Sequence, residues 1–295
     1  MAQLNLYSDL SSIAQSVQED ATFVVRESYV MPSLVLNFND MSAANPRIGY
    51  KYSQGTAGTI AEADDLTSQA FAPSADQTLT PVEIGLQYFI SDKRADSSGK
   101  VPENVLVDAA VELGRAAGDK INADLLLDFR YLTGGSIAGS AANLSWAILT
   151  GAISQARQAN KSSAVPLKCV LHGYQWAQLA KTASVAAGAV VNAPRFAEDV
   201  TRTGFADVYM GVPIFLVYSG TEVLRGTAAT AWMNSAVFPN DAIALDWRRQ
   251  IRVRAERDES RRGVELNMSA LYAHGIWRPD KGVLLQTFAT AYAGA

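Results

Sequence analysis

An α+β fold is predicted, with one long helix laid across strands rather than enclosed by them. Three observations predict it. Residues 101–130 keep a helical period over several turns, the chain from residue 231 onward alternates at period two, and residues 50–80 contain too few large apolar side chains to form a core. The first two supply a helix and a strand layer that can cover it. The third must project from both.

The chain opens with a short amphipathic helix over residues 4–20, where Ser8 is a suitable N-cap and Leu10, Ile13 and Val17 recur at helical spacing. The mixed segment that follows, through Phe23-Val24-Val25 and Tyr29-Val30-Met31 to Pro32, has no compact domain pattern and reads as an extended arm lying on another surface. Residues 50–80 are rich in Gly, Ala, Ser and Thr and carry the acids Glu62, Asp64 and Asp65. Strand-like patches at each end favour a two-stranded ribbon over disorder. Val82, Ile84, Leu86, Tyr88 and Ile90 then alternate with other residues as a strand, and a polar turn over 91–100 leads into the long helix.

Pro102 suits a first helical position, and Glu103 places negative charge at the positive end of the helix dipole. Leu106, Ala110, Leu113, Gly114, Ala117 and Ile121 share one face; Asp108, Glu112, Arg115, Asp119 and Asn122 share the other. At 1.5 Å per residue the helix reaches roughly 40 Å, more than a small domain is wide. Gly114 and Gly118 each cost about 1 kcal/mol relative to Ala, so their presence predicts close approach by another element. Beyond Asn122 the pattern turns over: Asp124 and Asp128 fall on the apolar face and Leu126 on the polar one. Either the helix ends early or its last turns meet a different, basic neighbour.

Residues 133–140 read as a Gly- and Ser-containing loop. Ser145 caps a second helix with Leu149, Ala152, Ile153 and Ala156 in line. A strand over 166–171, a short helix over 173–182 carrying Tyr174, Trp176 and Leu179, a weakly patterned tip over 183–206, and strand-like runs at 208–209 and 211–217 give this region an α/β character. Further on, Ile251, Val253 and Ala255 alternate with Arg252, Arg254 and Glu256; after a charged turn, Val264, Leu266, Met268, Ala270 and Tyr272 alternate with Glu265, Asn267 and Ser269. That is an antiparallel hairpin with one polar face, followed by a last apolar strand over 283–288.

Composition excludes several function classes. The 295 residues carry 18% charged side chains, fewer than an ordinary soluble surface, as fits a subunit that hides surface in contacts. A net charge of −4 argues against nucleic acid as a tightly held ligand. A single cysteine, Cys169, excludes an intramolecular disulfide framework and reads as a small core residue. No signal peptide and no membrane-length apolar run is present, so the chain reads as soluble and made in a reducing cytosol. His172 and His274 lack metal-ligand spacing; no GxGxxG, GxxxxGK[ST] or HExxH occurs; and Gly135-Ser136 lacks the strand–turn–helix setting of a nucleophile elbow. No catalytic constellation is assigned.

The densest charge is the set Arg248, Arg249, Arg252, Arg254, Arg257, Arg261 and Arg262, interleaved with Asp246, Glu256, Asp258 and Glu259. With Trp247 the one aromatic close by, a solvated or subunit-bridging strand face is favoured over contact with a polyanion.

The order of these parts resembles the major capsid proteins of tailed bacteriophages, the Hong Kong 97-type fold, over essentially the whole chain. Gly211-Val212-Pro213-Ile214 is similar to the family's recurrent Gly-x-Pro strand, and Leu-Tyr-Ala-His-Gly-Ile-Trp-Arg-Pro over 271–279 to its late strand ending in an aromatic-Arg-Pro. The resemblance implies an N-terminal arm (1–49), an extended loop (50–81), a peripheral domain (82–145 and 241–278) with its spine helix at 102–129, and an axial domain (146–240 and 279–295). It implies a structural, non-enzymatic subunit without cofactor. Such subunits assemble in the host bacterial cytoplasm into hexamers and pentamers of an icosahedral virion shell. Expected partners are the chain itself, a portal, scaffolding or cement proteins, and double-stranded DNA contacted non-specifically, with no membrane. A separate scaffolding protein, or none, is expected, because only about fifty residues precede the loop. Residues assigned to inter-subunit contact are Tyr50, Lys51, Glu62, Asp64, Asp65, Asp124, Asp128, Arg248, Arg252, Arg254, Arg257 and Arg261. Alternatives are an encapsulin-type compartment subunit, which shares the fold, and an α/β enzyme with an unrecognised site.

Some shells of this family are locked by Lys–Asn crosslinks beside a carboxylate. Here Lys51 is the one lysine before Lys93 and no Lys/Asn/acid triad can be assigned, so no crosslink is expected. Denaturing gels of assembled particles should show monomer; a covalent ladder would contradict this.

Overall fold

The long hairpin identified by alternation is the frame on which the molecule is built. In the computed structural model, which describes residues 30–39, 45–52, 55–59, 62, 65, 68–93, 102–162, 164–185, 205–217, 224–225 and 232–288, its strands run Ile243–Asp258 (β11) and Gly263–Ile276 (β12). The short helix read at 4–20, Asp64, and the tip from 186 to 204 lie outside the described residues. Ile251 and Val253 are buried while Arg252 and Arg254 are exposed, so the period-two pattern does select the two faces. Asp258 shapes the turn by accepting the backbone N–H groups of Ser260 and Arg261 at 2.9 and 3.1 Å.

Earlier elements, in chain order, are helix α1 (Met31–Leu34), β1 (Leu36–Phe38), β2 (Arg47–Tyr52), β3 (Pro73–Leu79), β4 (Val82–Ser91) and the long helix α2 (Pro102–Leu127), which tightens into a 3-10 turn, Asp128–Tyr131. A four-stranded sheet has the order β1-β11-β12-β4, with β1 parallel to β11 and the rest antiparallel. Helix α2 packs on it through Ala110, Leu113, Ala117 and Ile121, all essentially inaccessible, while Asp108, Glu112, Arg115 and Asp119 face solvent. The face read from sequence is the buried one.

The second layer follows: β5 (Ser136–Asn143), α3 (Trp146–Ala159), β6 (Leu167–His172), α4 (Gly173–Val185), β7 (Phe205–Tyr209), β8 (Val212–Val217), β9 (Leu224–Arg225), β10 (Trp232–Pro239) and β13 (Val283–Phe288). Its sheet runs β5-β13-β10-β6-β8-β7, with β9 beside β10. Ser145 caps α3 by accepting the Ile148 N–H, and Leu149, Ala152, Ile153 and Ala156 are its buried face. Met210 and Gly211, at φ 52° and 76°, close β7 onto β8 with the left-handed pair that a two-residue hairpin turn requires. Cys169 is fully buried in this core, and burial raises its thiol pKa.

Two sequence expectations change. Residues 136–140, within the stretch read as loop, belong to β5, because the parallel partner β13 supplies a ladder that small residues of low strand propensity do not advertise. That pairing places them in the second sheet. Asn122, placed on the solvent face, is buried and accepts the Met31 N–H at 3.4 Å.

The turned-over pattern at the end of α2 also finds its reason. Residues 121–126 are buried on every side. Leu125, Leu126 and Phe129 join one apolar cluster with Leu266 and Tyr272 of the first sheet and with Met233, Ala236 and Phe238 of the second. The helix end is a wedge between the two sheets of its own chain.

Gly114 is buried in the α2 face. Gly114→Leu is expected to destabilise the chain by about 1–3 kcal/mol through overpacking, read as a lowered urea midpoint.

Candidate assembly interface

The ribbon is anchored at its root, where Leu79 of β3 is buried against Ala244 and Ala273. Arg47, opening β2, donates its Nε–H to Asp246 of β11 at 2.8 Å, and Arg248 reaches the same carboxylate oxygen at 2.9 Å. The Arg47 guanidinium also lies 4.4 Å from the Phe38 ring centroid, and Phe38 meets Trp277 edge-on at 5.2 Å. Gly49 sits against Trp277 so closely that a Cβ there would lie 3.0 Å from the indole. Tyr50, Tyr52 and Phe71 are 61%, 56% and 74% exposed, and Tyr52 and Phe71 stack on each other at 4.8 Å. The Gln69 side-chain amide bonds both backbone groups of Thr56 at 3.0 Å, which keeps the two arms of the ribbon together. Lys51, Glu62 and Asp65 are exposed on it.

The arginines that sequence grouped together separate into two classes. Arg248 is buried against Asp246, Arg249 pairs with Glu83, Arg257 makes a bidentate pair with Asp92 at 3.0 and 3.1 Å and also bonds Glu259, and Arg261 pairs with Glu265 at 2.9 Å over the Phe89 ring. These partners belong to the same chain. The side chains of Arg252 and Arg254 have no such partner among the described residues.

Asp124 and Asp128 are likewise satisfied internally. Asp124 accepts the Tyr272 hydroxyl at 2.6 Å and the Lys120 ammonium at 2.5 Å; Asp128 bonds His274 Nδ1 at 2.9 Å. Both carboxylates are buried, at 8% and 5% exposure. The basic neighbour expected from sequence is thus His274 and Lys120 of the same chain. The spacing Lys120, Asp124, Asp128 placed these groups on one helix face. What sequence missed is that Tyr272 and His274, two apart on β12, face them.

Burial raises the Asp128 carboxyl pKa despite the opposing bond and charge of His274. Burial alone would lower the His274 imidazole, but the hydrogen bond and charge of Asp128, with Asp124 adding to them, outweigh it and leave the pKa raised. Among the described residues no group of His, Cys, Asp or Glu could hold a metal ion, and no helix is long and apolar enough to cross a membrane.

Two outcomes follow from this cluster. Asp124→Lys should destabilise the fold by about 3–5 kcal/mol, because it strips the buried Tyr272 hydroxyl of its acceptor and buries a cation, measured by urea unfolding. A raised His274 contributes stability that is complete below the ordinary imidazole pKa and is lost as pH rises through its folded value. A raised Asp128 makes the ionised form costly in the same direction. Stability should therefore fall as pH rises from mildly acidic through neutral, and His274→Gln should flatten that dependence in thermal melts.

No protein-family model matches the sequence, and no curated protein matches it. Solved structures do. The cyanophage P-SCSP1u capsid structure is similar at TM-score 0.64 and 14% identity over 89% of this chain and 88% of that one. The head structure of Helicobacter pylori bacteriophage KHP40 gives 0.63 and 12% over 87% of each chain. A virus-like particle from Pyrococcus furiosus gives 0.60 and 10% over 92% of this chain and 98% of the other. With its two sheets, long helix and projecting ribbon, the chain has the Hong Kong 97-type capsid fold.

Proposed function

We propose that this chain is a major capsid protein, a structural subunit that self-assembles into the hexamers and pentamers of an icosahedral bacteriophage head enclosing double-stranded DNA. The observation that carries the reading is the ribbon. Tyr50, Tyr52 and Phe71 are strongly exposed, and the ribbon holding them is fixed to its own chain near its root, through Arg47, Gly49, the buried Leu79 and the Trp277 contact. Apolar surface presented in this way marks a contact with another molecule. Likeness to phage capsid chains along nearly the full length of both partners supports the same reading. The role is structural and not catalytic, its place is the virion, and its partners are further copies of itself, a portal, scaffolding or cement proteins, and packaged DNA.

Likeness to the Pyrococcus furiosus virus-like particle favours a second reading, a protein compartment without a genome. Purified protein examined by sedimentation and electron microscopy should form uniform closed shells; a persistent monomer would refute both readings. Nuclease-protected double-stranded DNA inside native particles is expected for a phage head, and its absence, with a protein cargo in its place, would favour the compartment.

A further inference from the structure

Between Asp246 and Asp258, strand β11 is an edge: β1 pairs only with Ala244, Leu245 and Asp246, and among the described residues nothing pairs beyond them on that side. From residue 252 to 258 its register with β12 is unbroken, and Val253 faces the apolar layer under the long helix. Arg252, Arg254, Glu256 and Asp258 therefore share the opposite face. Their own sheet leaves them unmatched. Arg252 lies beside Ser269 and Arg254 beside Asn267, both neutral, while Glu256 lies beside a second acid, Glu265, whose partners are Gln87 and Arg261. Asp258 uses its Oδ1 for the hairpin turn, and its Oδ2 has no hydrogen bond among the described residues.

Along the strand this face carries two bases and then two acids. Such an order is its own complement in an antiparallel partner. A second copy of β11, reversed about Ala255, sets Arg252 opposite Asp258 and Arg254 opposite Glu256, and the same two pairs again in the other direction. A slip of two residues, which centres the pair on Arg254 or on Glu256, puts two like charges face to face. A slip of one turns the partner's charged face over. In the matched register the open backbone groups of both edges find partners, and both long helices stay on one side of the joined sheet. Resting on the reading of the chain as a shell subunit, we propose that this edge is an isologous interface. Two copies related by a two-fold axis at Ala255 pair their β11 strands antiparallel over residues 252–258, held by the Arg252–Asp258 and Arg254–Glu256 pairs formed twice. Neighbours around a closed ring of five or six meet through unlike surfaces, so a contact of this symmetry joins one ring to the next.

The test uses the full chain. Arg254→Glu sets acid against acid across the axis, and Glu256→Arg sets base against base. Each should lower shell yield, measured by sedimentation and electron microscopy, by about tenfold or more. Circular dichroism and urea midpoints should stay at wild-type values, since both side chains are exposed. Combining the two on one chain re-forms the pairs with signs exchanged and should restore shells to within about twofold of wild type. The axis itself is located by Ala255→Cys, because residues directly opposite in an antiparallel pair have Cα atoms about 4.5–5.5 Å apart, within disulfide reach. Oxidised particles of that variant should run as dimers on non-reducing gels. Arg252→Cys, about 20 Å from its own copy in this register, should run as monomer, and Cys169, being fully buried, adds no background. Folded single variants that assemble normally, a folded combined variant that does not recover, or monomer from oxidised Ala255→Cys particles would overturn the pairing and leave the shell reading standing. A dimer from Arg252→Cys would put the axis elsewhere and overturn it as well. If the charge variants do not fold, the two cysteine variants decide. Wild-type protein that forms no shells would instead remove the shell-subunit reading.

Discussion

The end of the long helix is the point on which both sheets depend. Leu125, Leu126 and Phe129 bury completely between the four-stranded and seven-stranded sheets, and the apolar cluster they join draws Tyr272 from one and Phe238 from the other. A helix that meets a sheet on one side needs one apolar stripe. A helix that ends between two sheets needs apolar residues all round, and any polar group there must be paired. Asp124 and Asp128 meet that condition through Tyr272, Lys120 and His274. The acid pattern that departs from amphipathicity is the polar part of a two-sided contact.

That two-sided burial contrasts with the attachment of the ribbon at its root. Its root is fixed by charge and by ring contacts around Arg47, Asp246, Phe38 and Trp277, while its far half presents aromatic side chains to water. A self-contained monomer would gain by burying those rings. A subunit whose contacts complete only on association keeps them exposed and gains that burial on assembly. The same division runs through the arginines of β11: those near the hairpin turn and near the ribbon root are neutralised within the chain, and the two between them are open.

The periodic elements were legible in the sequence. The buried face of α2, the capped face of α3 and the alternation of the β11–β12 hairpin follow from local chemistry: apolar side chains at 3.6 or 2.0 spacing can leave water only by facing one layer. The ribbon was legible from a deficit, since a stretch with few large apolar side chains has no core of its own to form. Strand β5 was not, because Ser136, Ala138 and Gly139 carry no strand preference and the ladder that orders them comes from β13, over a hundred residues away.

Site residues divide in the same way. Sequence by itself determined which side chains are charged, which alternate, and that Lys120, Asp124 and Asp128 share a helix face. Only the tertiary structure decided which charges are spent inside the molecule, because an ion pair depends on which distant strand arrives opposite. Asp246 meets Arg47 across 199 residues, Asp124 meets Tyr272 across 148, and Arg257 meets Asp92 across 165. Local spacing carries no information about such separations. Arg248 and Arg252 look alike in the chain, and the fold closes a carboxylate over one and leaves the other facing outward.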